Sequence, residues 1–348
     1  MVNQPPIHGR GATENPPNRF EPISFEPDRE HDHAPNTAFL KDTSRSIISY
    51  NESPDVGFDA SINVYRGCEH GCIYCYARPT HEYLGFSAGL DFETKILVKE
   101  DAPELLRQKL SSSNWKVQAL AMSGVTDPYQ PVERRLQLTR RCLEVLVEFR
   151  NPVFIITKNH LVTRDLDLLK ELARYQAAAV LLSVTTLNGD LARIMEPRTS
   201  QPGRRLAAIE ALAQSGVPTG VLVAPIIPAL NDHEIPSIIT AAVNAGAQYA
   251  SYTILRLPHA VKILFEQWLT QHFPDRKEKV LNRIRAIRGG KLNDPRFGSR
   301  MRGEGIYAKQ IAAMFSAACR KEGIINRRPT LSTEAFKRPS GPQLSFFG

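Results

Sequence analysis

The sequence predicts an α/β fold in which about six strand–helix units form one parallel sheet. Three observations support this prediction: apolar runs alternate with amphipathic stretches from about residue 60 to residue 260, the connections between them are short, and the strand candidates are apolar throughout. Parallel strands need helical crossovers and are covered on both faces. A partial barrel and an open doubly wound sheet both fit, and either places its chemistry at the carboxyl ends of the strands.

The elements follow in order along the chain. The first strand is predicted directly before a cysteine-rich run, and each later strand is followed by a stretch with apolar residues at helical spacing. The predicted strands span residues 60–65, 117–122, 153–157, 178–185, 217–227 and 249–255. The predicted helices span residues 103–110, 131–149, 164–175, 202–214 and 233–245.

The flanks of this core differ from it in composition. Residues 1–45 are predicted to be a flexible arm, because prolines interrupt any periodicity and apolar residues are sparse. Residues 46–260 form the predicted core, and residues 261–328 a helical, basic extension. Residues 329–348 are predicted to be a flexible, polar tail.

Composition limits the classes of protein that fit. The chain has 348 residues, of which 42% are hydrophobic and 23% charged, as in ordinary globular proteins. We find neither an apolar stretch long enough to cross a bilayer nor the pattern of a secretory signal. Three of the five cysteines lie within eight residues, which does not suggest a disulfide framework and predicts a reducing cytoplasm.

Positive charge is concentrated in one window. The net charge is +8, and residues 276–302 hold ten basic and two acidic residues. That window alone therefore carries 10 − 2 = +8. A basic segment of this kind attracts polyanions such as nucleic acids, although a solvated helix face is an equally good interpretation.

The cysteine-rich run has the spacing C-x3-C-x2-C, formed by Cys68, Cys72 and Cys75. Three thiolates on one tight loop can each bind one iron of a cubane cluster and leave the fourth iron open. The alternative is a zinc site completed by His70 or His81. The position directly after the first strand of a repeating pattern favours the cluster.

This motif, with Tyr74 before the third cysteine, resembles the signature of the radical S-adenosylmethionine (SAM) superfamily. The resemblance implies a partial (β/α)6 TIM-like barrel over about residues 60–260. It also implies a [4Fe–4S] cluster on the three cysteines and SAM on the open iron. Reductive cleavage of SAM would give a 5′-deoxyadenosyl radical, with electrons from a protein such as flavodoxin or ferredoxin.

The resemblance also implies SAM contacts at the ends of the strands, although packing or a plain turn explains each residue about equally well. Tyr74 belongs to the motif, and Arg198 in a later loop could pair with the SAM carboxylate. The other candidates follow or end the second, fourth and fifth strands: Ser123, Gly124, Thr126, Asp127, Ser183, Thr185, Pro225 and Ile226.

Two further cysteines, Cys142 and Cys319, lie in helical patterns. Packing in the core is the favoured interpretation, because small buried cysteines are common. The alternative is a hydrogen-atom donor near the substrate.

Three segments narrow the resemblance to an uncharacterised branch similar to spore photoproduct lyase. They are the cysteine run through Arg78, the stretch Thr-Asp-Pro-Tyr-Gln at 126–130 and the stretch Leu-Ser-Thr-Glu-Ala-Phe at 331–336. This resemblance implies a lyase acting on a DNA lesion. The alternatives are radical chemistry on RNA or protein, and a non-enzymatic iron–sulfur protein that binds DNA or senses redox state.

The last residues resemble the short peptide with which bacterial repair proteins dock on the sliding clamp. The residues in question are Gln343, Leu344, Phe346 and Phe347. An anchoring glutamine and an apolar pair on a tail suit a preformed groove. A chance hydrophobic end is the alternative.

Overall fold

A seven-stranded sheet forms the centre of the fold. The computed structural model describes residues 5–21, 36–324 and 329–339. The strands of the whole described chain are β1 (Ala38–Lys41), β2 (Ile48–Tyr50), β3 (Ala60–Ile62), β4 (Tyr65–Arg66), β5 (Lys95–Val98), β6 (Leu120–Met122), β7 (Val153–Thr157), β8 (Ala178–Ser183), β9 (Thr219–Ile226) and β10 (Tyr249–Ile254). The central sheet has the order β10-β9-β8-β7-β6-β3-β2, and a small second sheet has the order β1-β5-β4.

Six strands of the central sheet run parallel, from β3 through β6, β7, β8, β9 and β10. Only β2 pairs antiparallel, at one edge. The six predicted strands are thus present, and the (β/α)6 arrangement is confirmed. Because β10 and β2 are the two edges, the sheet is open between them.

Helices connect the strands and extend the chain beyond the sheet. They are α1 (Leu90–Thr94), α2 (Ala102–Ser111), α3 (Glu133–Leu136), α4 (Leu138–Phe149), α5 (Leu166–Ala173), α6 (Gly189–Met195), α7 (Pro202–Gln214), α8 (Ile235–Asn244), α9 (Val261–His272), α10 (Lys277–Ala286), α11 (Ser299–Arg302) and α12 (Gly305–Lys321). Short 3-10 helices span Arg78–Leu84, His160–Asp165, Asp232–Glu234 and Pro274–Arg276. Among the described residues, no helix has both the length and the apolar character needed to cross a bilayer.

The helix predicted over residues 131–149 is broken into α3 and α4. The break is at Gln137, whose φ is 52°. The carboxylate of Glu133 accepts hydrogen bonds from the backbone N–H groups of Thr139 (3.1 Å) and Arg140 (3.3 Å). A side chain therefore satisfies donors at the start of α4, which makes a second helix start possible.

The two faces of the central sheet have different neighbours. Val153, Ile155 and Val180 point into the main apolar core, which the helices share. Phe154 and Leu181, which alternate with them, belong to a separate apolar group on the other face. That face is the interior of the partial barrel, and it also carries buried Ala179.

The C-terminal segment (residues 329–339) packs against the sheet. The sequence had predicted a flexible tail over residues 329–348. Leu331 packs against the interior group that contains Phe154 and Leu181. The backbone N–H of Ser332 donates to the carbonyl of Gln176 (3.0 Å), just before β8. The segment therefore crosses the amino-terminal ends of the strands, on the side away from the cysteines.

The arm segment (residues 5–21) is also fixed. Asn15 exchanges hydrogen bonds of 2.9 and 3.0 Å with Asp91, and Arg19 pairs with buried Glu82 at 2.6 Å. Further along the predicted arm, β1 pairs with β5. Buried carboxylates bind the polar groups of the arm and fix it to the core. The proline content, from which a flexible arm was predicted, gives no sign of these contacts.

Candidate active site at the cysteine loop

The three motif cysteines lie on the cysteine loop (residues 67–78), which directly follows β4. All three are free thiols; Cys68 and Cys72 are buried and Cys75 is partly exposed. The backbone N–H of Cys68 donates to the carbonyl of Phe92 (2.9 Å), and that of Cys75 to the carbonyl of Cys72 (3.1 Å). Gly67 and Gly71 have φ values of 81° and 66°, which glycine adopts without strain.

A buried ion pair holds this loop from below. The guanidinium of Arg78 donates to the carbonyls of Cys72 (3.0 Å) and Gly71 (3.2 Å) and pairs with Glu93. The carboxylate of Glu93 also accepts the backbone N–H groups of Gly11 (3.0 Å) and Ala12 (2.9 Å). The arm segment is thereby fixed to the cysteine loop through one carboxylate.

The segment after β6 holds the loop from the other side. Thr126 donates to the carbonyl of Gly67 (2.8 Å). Glu69 accepts the backbone N–H of Val132 (2.6 Å) and pairs with Arg198 (3.1 Å). Thr126 and Arg198 were predicted to contact SAM; in the structure both bind the cysteine loop.

Burial dominates the electrostatics of the thiols. It raises the pKa of Cys75 to about 11, with the negative charge of Cys68 acting in the same direction. It raises the pKa of Cys72 well above its ordinary value, and Glu196 adds to this. The thiolate forms of Cys72 and Cys75 therefore require a strongly positive group beside them, and the iron–sulfur cluster that a three-cysteine donor set suits would supply that charge.

The two histidines of the zinc alternative have other polar partners, although His70 also hydrogen-bonds the side chain of Cys68. The Nδ1 atom of His70 lies 3.4 Å from the carboxylate of Asp127, and its Nε2 atom 3.2 Å from the amide of Asn159. His81 packs against Phe92 and contacts the Lys95 carbonyl through Nε2 at 3.0 Å. Within residues 5–21, 36–324 and 329–339, no three His, Cys, Asp or Glu side chains are grouped to hold a single metal ion.

A buried ion group, formed by Lys158, Glu196 and Arg205, lies beside the loop. Glu196 pairs with Arg205 and lies 3.6 Å from the ammonium of Lys158. The hydroxyl of Tyr74 also donates to Glu196. Burial alone would raise the pKa of Glu196, but Arg205 and Lys158 outweigh it and hold that pKa at about 2. Glu196 is therefore a carboxylate at every physiological pH.

Besides Tyr74, two more of the predicted SAM contacts face this ion group. The ammonium of Lys158 donates to the hydroxyl of Ser183 (2.5 Å) and to the carbonyl of Ala224 (3.1 Å). The hydroxyl of Thr185 lies within hydrogen-bond distance of Glu196 (2.5 Å). The carboxyl ends of β7, β8 and β9 thus meet the cysteine loop around one lysine.

The remaining predicted SAM contacts lie at the ends of β6 and β9 or in the segment after β6. The carboxylate of Asp127 accepts the hydroxyl of Thr157 (2.7 Å) and the backbone N–H of Lys158 (2.8 Å), so it anchors the end of β7. Ser123 and Gly124 form the turn after β6, and the Gly124 carbonyl accepts the hydroxyl of Tyr76 (2.6 Å). At the end of β9, Ile226 is buried and Pro225 is partly exposed.

Cys142 and Cys319 both lie in the main apolar core, on α4 and α12 respectively. Burial raises the pKa of Cys142 far above its ordinary value and that of Cys319 to about 11. Both are neutral thiols packed among helices. The predicted clamp-docking residues Gln343, Leu344, Phe346 and Phe347 lie outside the described residues.

Sequence reasoning missed the residues that support the site: Gly11, Arg78, Glu93, Lys158, Glu196 and Arg205. For Lys158 a signal existed, because it directly follows the strand over residues 153–157, and polar residues at strand ends were the criterion used for the other strands. Buried pairs such as Arg78 with Glu93 leave no such signal, because their charges look like ordinary surface charges in the sequence.

Comparison with known proteins agrees with this geometry. The sequence profile described as the radical SAM superfamily matches residues 62–242. The chain therefore belongs to the radical SAM superfamily, whose members are enzymes that use a [4Fe–4S] cluster and SAM.

Curated relatives are similar over part of their length. An uncharacterized protein of Mycobacterium tuberculosis is 36% identical over 220 residues, which is 63% of this chain and 65% of that protein. An uncharacterized protein of Methanocaldococcus jannaschii is 29% identical over 64% of this chain and 79% of its own length. A protein of Pseudomonas phage M6 named radical SAM Nalpha-GlyT isomerase is 27% identical over 48% of this chain and 33% of its own length.

Among solved structures, spore photoproduct lyase has a similar fold. A variant with bound AdoMet and dinucleoside spore photoproduct superposes with a TM-score of 0.60 at 17% identity, covering 84% of this chain and 82% of that chain. The predicted similarity to spore photoproduct lyase is confirmed at the level of the fold.

Proposed function

We propose that the chain is a radical SAM lyase that acts on a lesion in DNA. A [4Fe–4S] cluster with bound SAM supplies reductive cleavage of SAM to a 5′-deoxyadenosyl radical, the chemistry of the superfamily. The observation that carries the choice of a nucleic acid is the position of the basic window. It packs on the same side of the sheet as the cysteine loop.

Two contacts place the basic window there. Arg288, within the window, donates to the carbonyl of Leu255 (2.7 Å), directly after β10, and to that of Ser299 (2.9 Å). Arg300 pairs with Asp55 (2.5 Å), which lies between β2 and β3. The window therefore contacts the carboxyl end of β10, on the side of the cysteine loop, and also the turn that leads from β2 into β3. A polyanion bound along it can meet the site at the opening of the sheet.

The residues of the site divide the work on SAM. In this proposal Lys158, fixed by Ser183, holds the SAM carboxylate, a role that the sequence had given to Arg198. Arg198 already forms an ion pair with Glu69, whereas Lys158 lies among the residues predicted to contact SAM. Arg205 keeps Glu196 ionised, and Glu196 in turn orients Tyr74 and Thr185. The three cysteines hold the cluster through their thiolates.

The choice of a lyase rests on fold similarity to an enzyme whose solved structure holds a dinucleoside lesion. A different radical reaction is the second candidate, because the phage relative is named an isomerase. Radical chemistry on RNA or on a protein uses the same cluster and is distinguished by the substrate that stimulates it. A non-enzymatic role is disfavoured by membership of an enzyme superfamily.

The proposal includes two protein partners. A flavodoxin or ferredoxin would supply the electron. The sliding clamp would bind the tail through Gln343, Leu344, Phe346 and Phe347. Removal of residues 340–348 should abolish clamp binding and leave SAM cleavage intact, which a pull-down and a product assay test together.

The test of the function is an anaerobic assay. The reconstituted, reduced protein is given SAM, and 5′-deoxyadenosine is quantified with ultraviolet-irradiated DNA, intact DNA or no DNA. We expect product from the wild type, none from a variant with all three motif cysteines changed to alanine, and stimulation by irradiated DNA. Equal product with all three additions would overturn the lesion substrate, and no product from a protein with an intact cluster spectrum would overturn the enzymatic class.

A further inference from the structure

Arg256 lies at the opening of the sheet, two residues after the end of β10. Its guanidinium stacks on the ring of Tyr76 at 5.2 Å. Tyr76 belongs to the cysteine loop and donates to the carbonyl of Gly124, after β6. The Arg256–Tyr76 stack therefore spans the opening between the last strand and the first strands, directly beside the residues that hold the cluster.

The charge of Arg256 is not neutralised within the described part of the chain. No carboxylate there forms an ion pair with it, and its Nε atom is buried without a hydrogen-bond partner. Its one hydrogen-bonding contact is a weak one, from Nη1 to the sulfur of Met301 at 3.7 Å. Burial and the nearby charge of Arg300 lower the pKa of Arg256. The carboxylate of Asp55 acts on Arg256 only from a distance, because it pairs with Arg300. A partly buried cation without a contacting anion is costly, and a bound anion would relieve that cost.

The neighbouring Arg300, by contrast, already has an anionic partner. Arg300 pairs with Asp55 and also donates to Ser53. Its guanidinium lies over the ring of Phe297 at 4.4 Å. The opening thus presents one guanidinium without an ion-pair partner, Arg256, on the exposed ring of Tyr76 (49% exposed). A second exposed ring, Phe297 (60% exposed), lies against the neighbouring Arg300.

We infer that Arg256 binds one backbone phosphate of the DNA substrate, next to the nucleotide that faces the cysteine loop. This inference rests on the proposed function. A guanidinium suits a phosphodiester because it can donate two parallel hydrogen bonds. The exposed rings of Tyr76, against Arg256, and of Phe297, against the neighbouring Arg300, suit the bases of an extruded or single strand, which stack on such platforms.

The test compares Arg256→Gln with Arg283→Gln. Both changes remove one positive charge, and Arg283 is exposed on α10, within the basic window that packs beside Arg256. Binding of a short, fluorescent thymidine oligonucleotide is measured by anisotropy over a range of salt concentrations. We expect Arg256→Gln to bind about tenfold more weakly at low salt and to reduce the slope of log K against log salt by about 0.7, the value for one phosphate on a single strand. Arg283→Gln should change either value far less.

A second measurement locates the contact on the DNA. Oligonucleotides that each carry one neutral methylphosphonate replace one phosphate at a time. The wild type should lose affinity at one position, and Arg256→Gln should be insensitive at that same position, because the two partners of one contact are not additive. Arg256→Lys keeps the charge and should keep the salt slope. Cluster content and melting temperature show whether each variant has folded.

The outcomes separate this inference from the proposed function. Equal losses in Arg256→Gln and Arg283→Gln would mean a diffuse basic surface and would overturn the inference, while DNA-stimulated SAM cleavage would stand. A loss of SAM affinity with unchanged DNA affinity would assign Arg256 to SAM and overturn it as well. If the wild type itself binds no oligonucleotide, both proposals fail.

Discussion

Replacement of Gly11 by alanine should detach the arm segment from the cysteine loop. A Cβ atom at Gly11 would lie 1.8 Å from the carbonyl oxygen of Gly71 and 3.2 Å from the backbone nitrogen of Ile73. Both neighbours are backbone atoms, so no flexible side chain can move aside. Ordinary contact begins at 3.4 Å, and the arm must therefore move by about 1.5 Å.

The magnitude follows from the bonds that such a shift breaks. The N–H groups of Gly11 and Ala12 donate to the Glu93 carboxylate at 3.0 and 2.9 Å, and a shift of this size takes both out of range. Hydrogen bonds to charged groups are worth about 1.5–3 kcal/mol each. The attached state of the arm should lose about 3–6 kcal/mol, which reduces its population at least a hundredfold relative to the detached state.

The assay is hydrogen exchange of the reconstituted protein, followed by mass spectrometry. Peptides from residues 5–21 and 66–78 should exchange faster in Gly11→Ala, and the visible absorbance of the cluster should bleach faster in air, because Ala12 packs with Cys72. Gly203→Ala is the matched control, since a Cβ there meets open space. If Gly11→Ala exchanges and bleaches like the wild type, the steric argument is wrong.

Three further predictions concern the site and the core. Lys158→Met should weaken SAM binding by about tenfold or more, measured by equilibrium dialysis, because it removes the cation beside Ser183. Burial lowers the pKa of His81 from 6.5 to about 4, so the unfolded chain binds the proton more tightly. The free energy of unfolding should therefore fall by about 3 kcal/mol as the pH drops from 6.5 to about 4. Urea unfolding midpoints, measured anaerobically, should show this fall in the wild type and not in His81→Phe. Cys142→Ala and Cys319→Ala should each cost about 1 kcal/mol of stability, seen as a lower melting temperature, and leave 5′-deoxyadenosine formation unchanged.

Each of these predictions has its control and a result that would contradict it. Lys170→Met removes an exposed lysine on α5, and equal SAM affinity in the Lys158 and Lys170 variants would rule out the carboxylate contact. His233→Gln changes an exposed histidine and should keep the pH dependence of the wild type; the same behaviour in His81→Phe would show that burial of His81 is not its source. A cysteine variant that folds and still forms 5′-deoxyadenosine, but yields no repaired DNA, would favour a hydrogen-atom donor.

The fold could be predicted because its strands and helices repeat with a clear period. The strand over residues 153–157 and the helix over residues 202–214 have the bounds that the apolar pattern predicts. The break at Gln137 was missed because it depends on the Glu133 carboxylate, which a pattern of apolar residues does not register.

The site could be predicted only in part. The cysteines were found because their spacing is itself the signal. Glu93 and Arg78 were missed because nothing in the sequence shows that they pair or that the pair is buried. Each looks like an ordinary surface charge until the fold brings the two together. Thr126 and Asp127 were predicted as SAM contacts and lie beside the cysteine loop, but their hydrogen bonds to the loop and to the end of β7 depend on tertiary geometry.

The C-terminal segment has a consequence for synthesis on the ribosome. Leu331 covers the interior face around Phe154 and Leu181, which are made much earlier. The strands of the sheet leave the ribosome before Leu331 does. Until Leu331 emerges from the exit tunnel, the apolar face around Phe154 and Leu181 is uncovered. The growing chain passes through a stage in which it is prone to aggregate and is a suitable client for a chaperone.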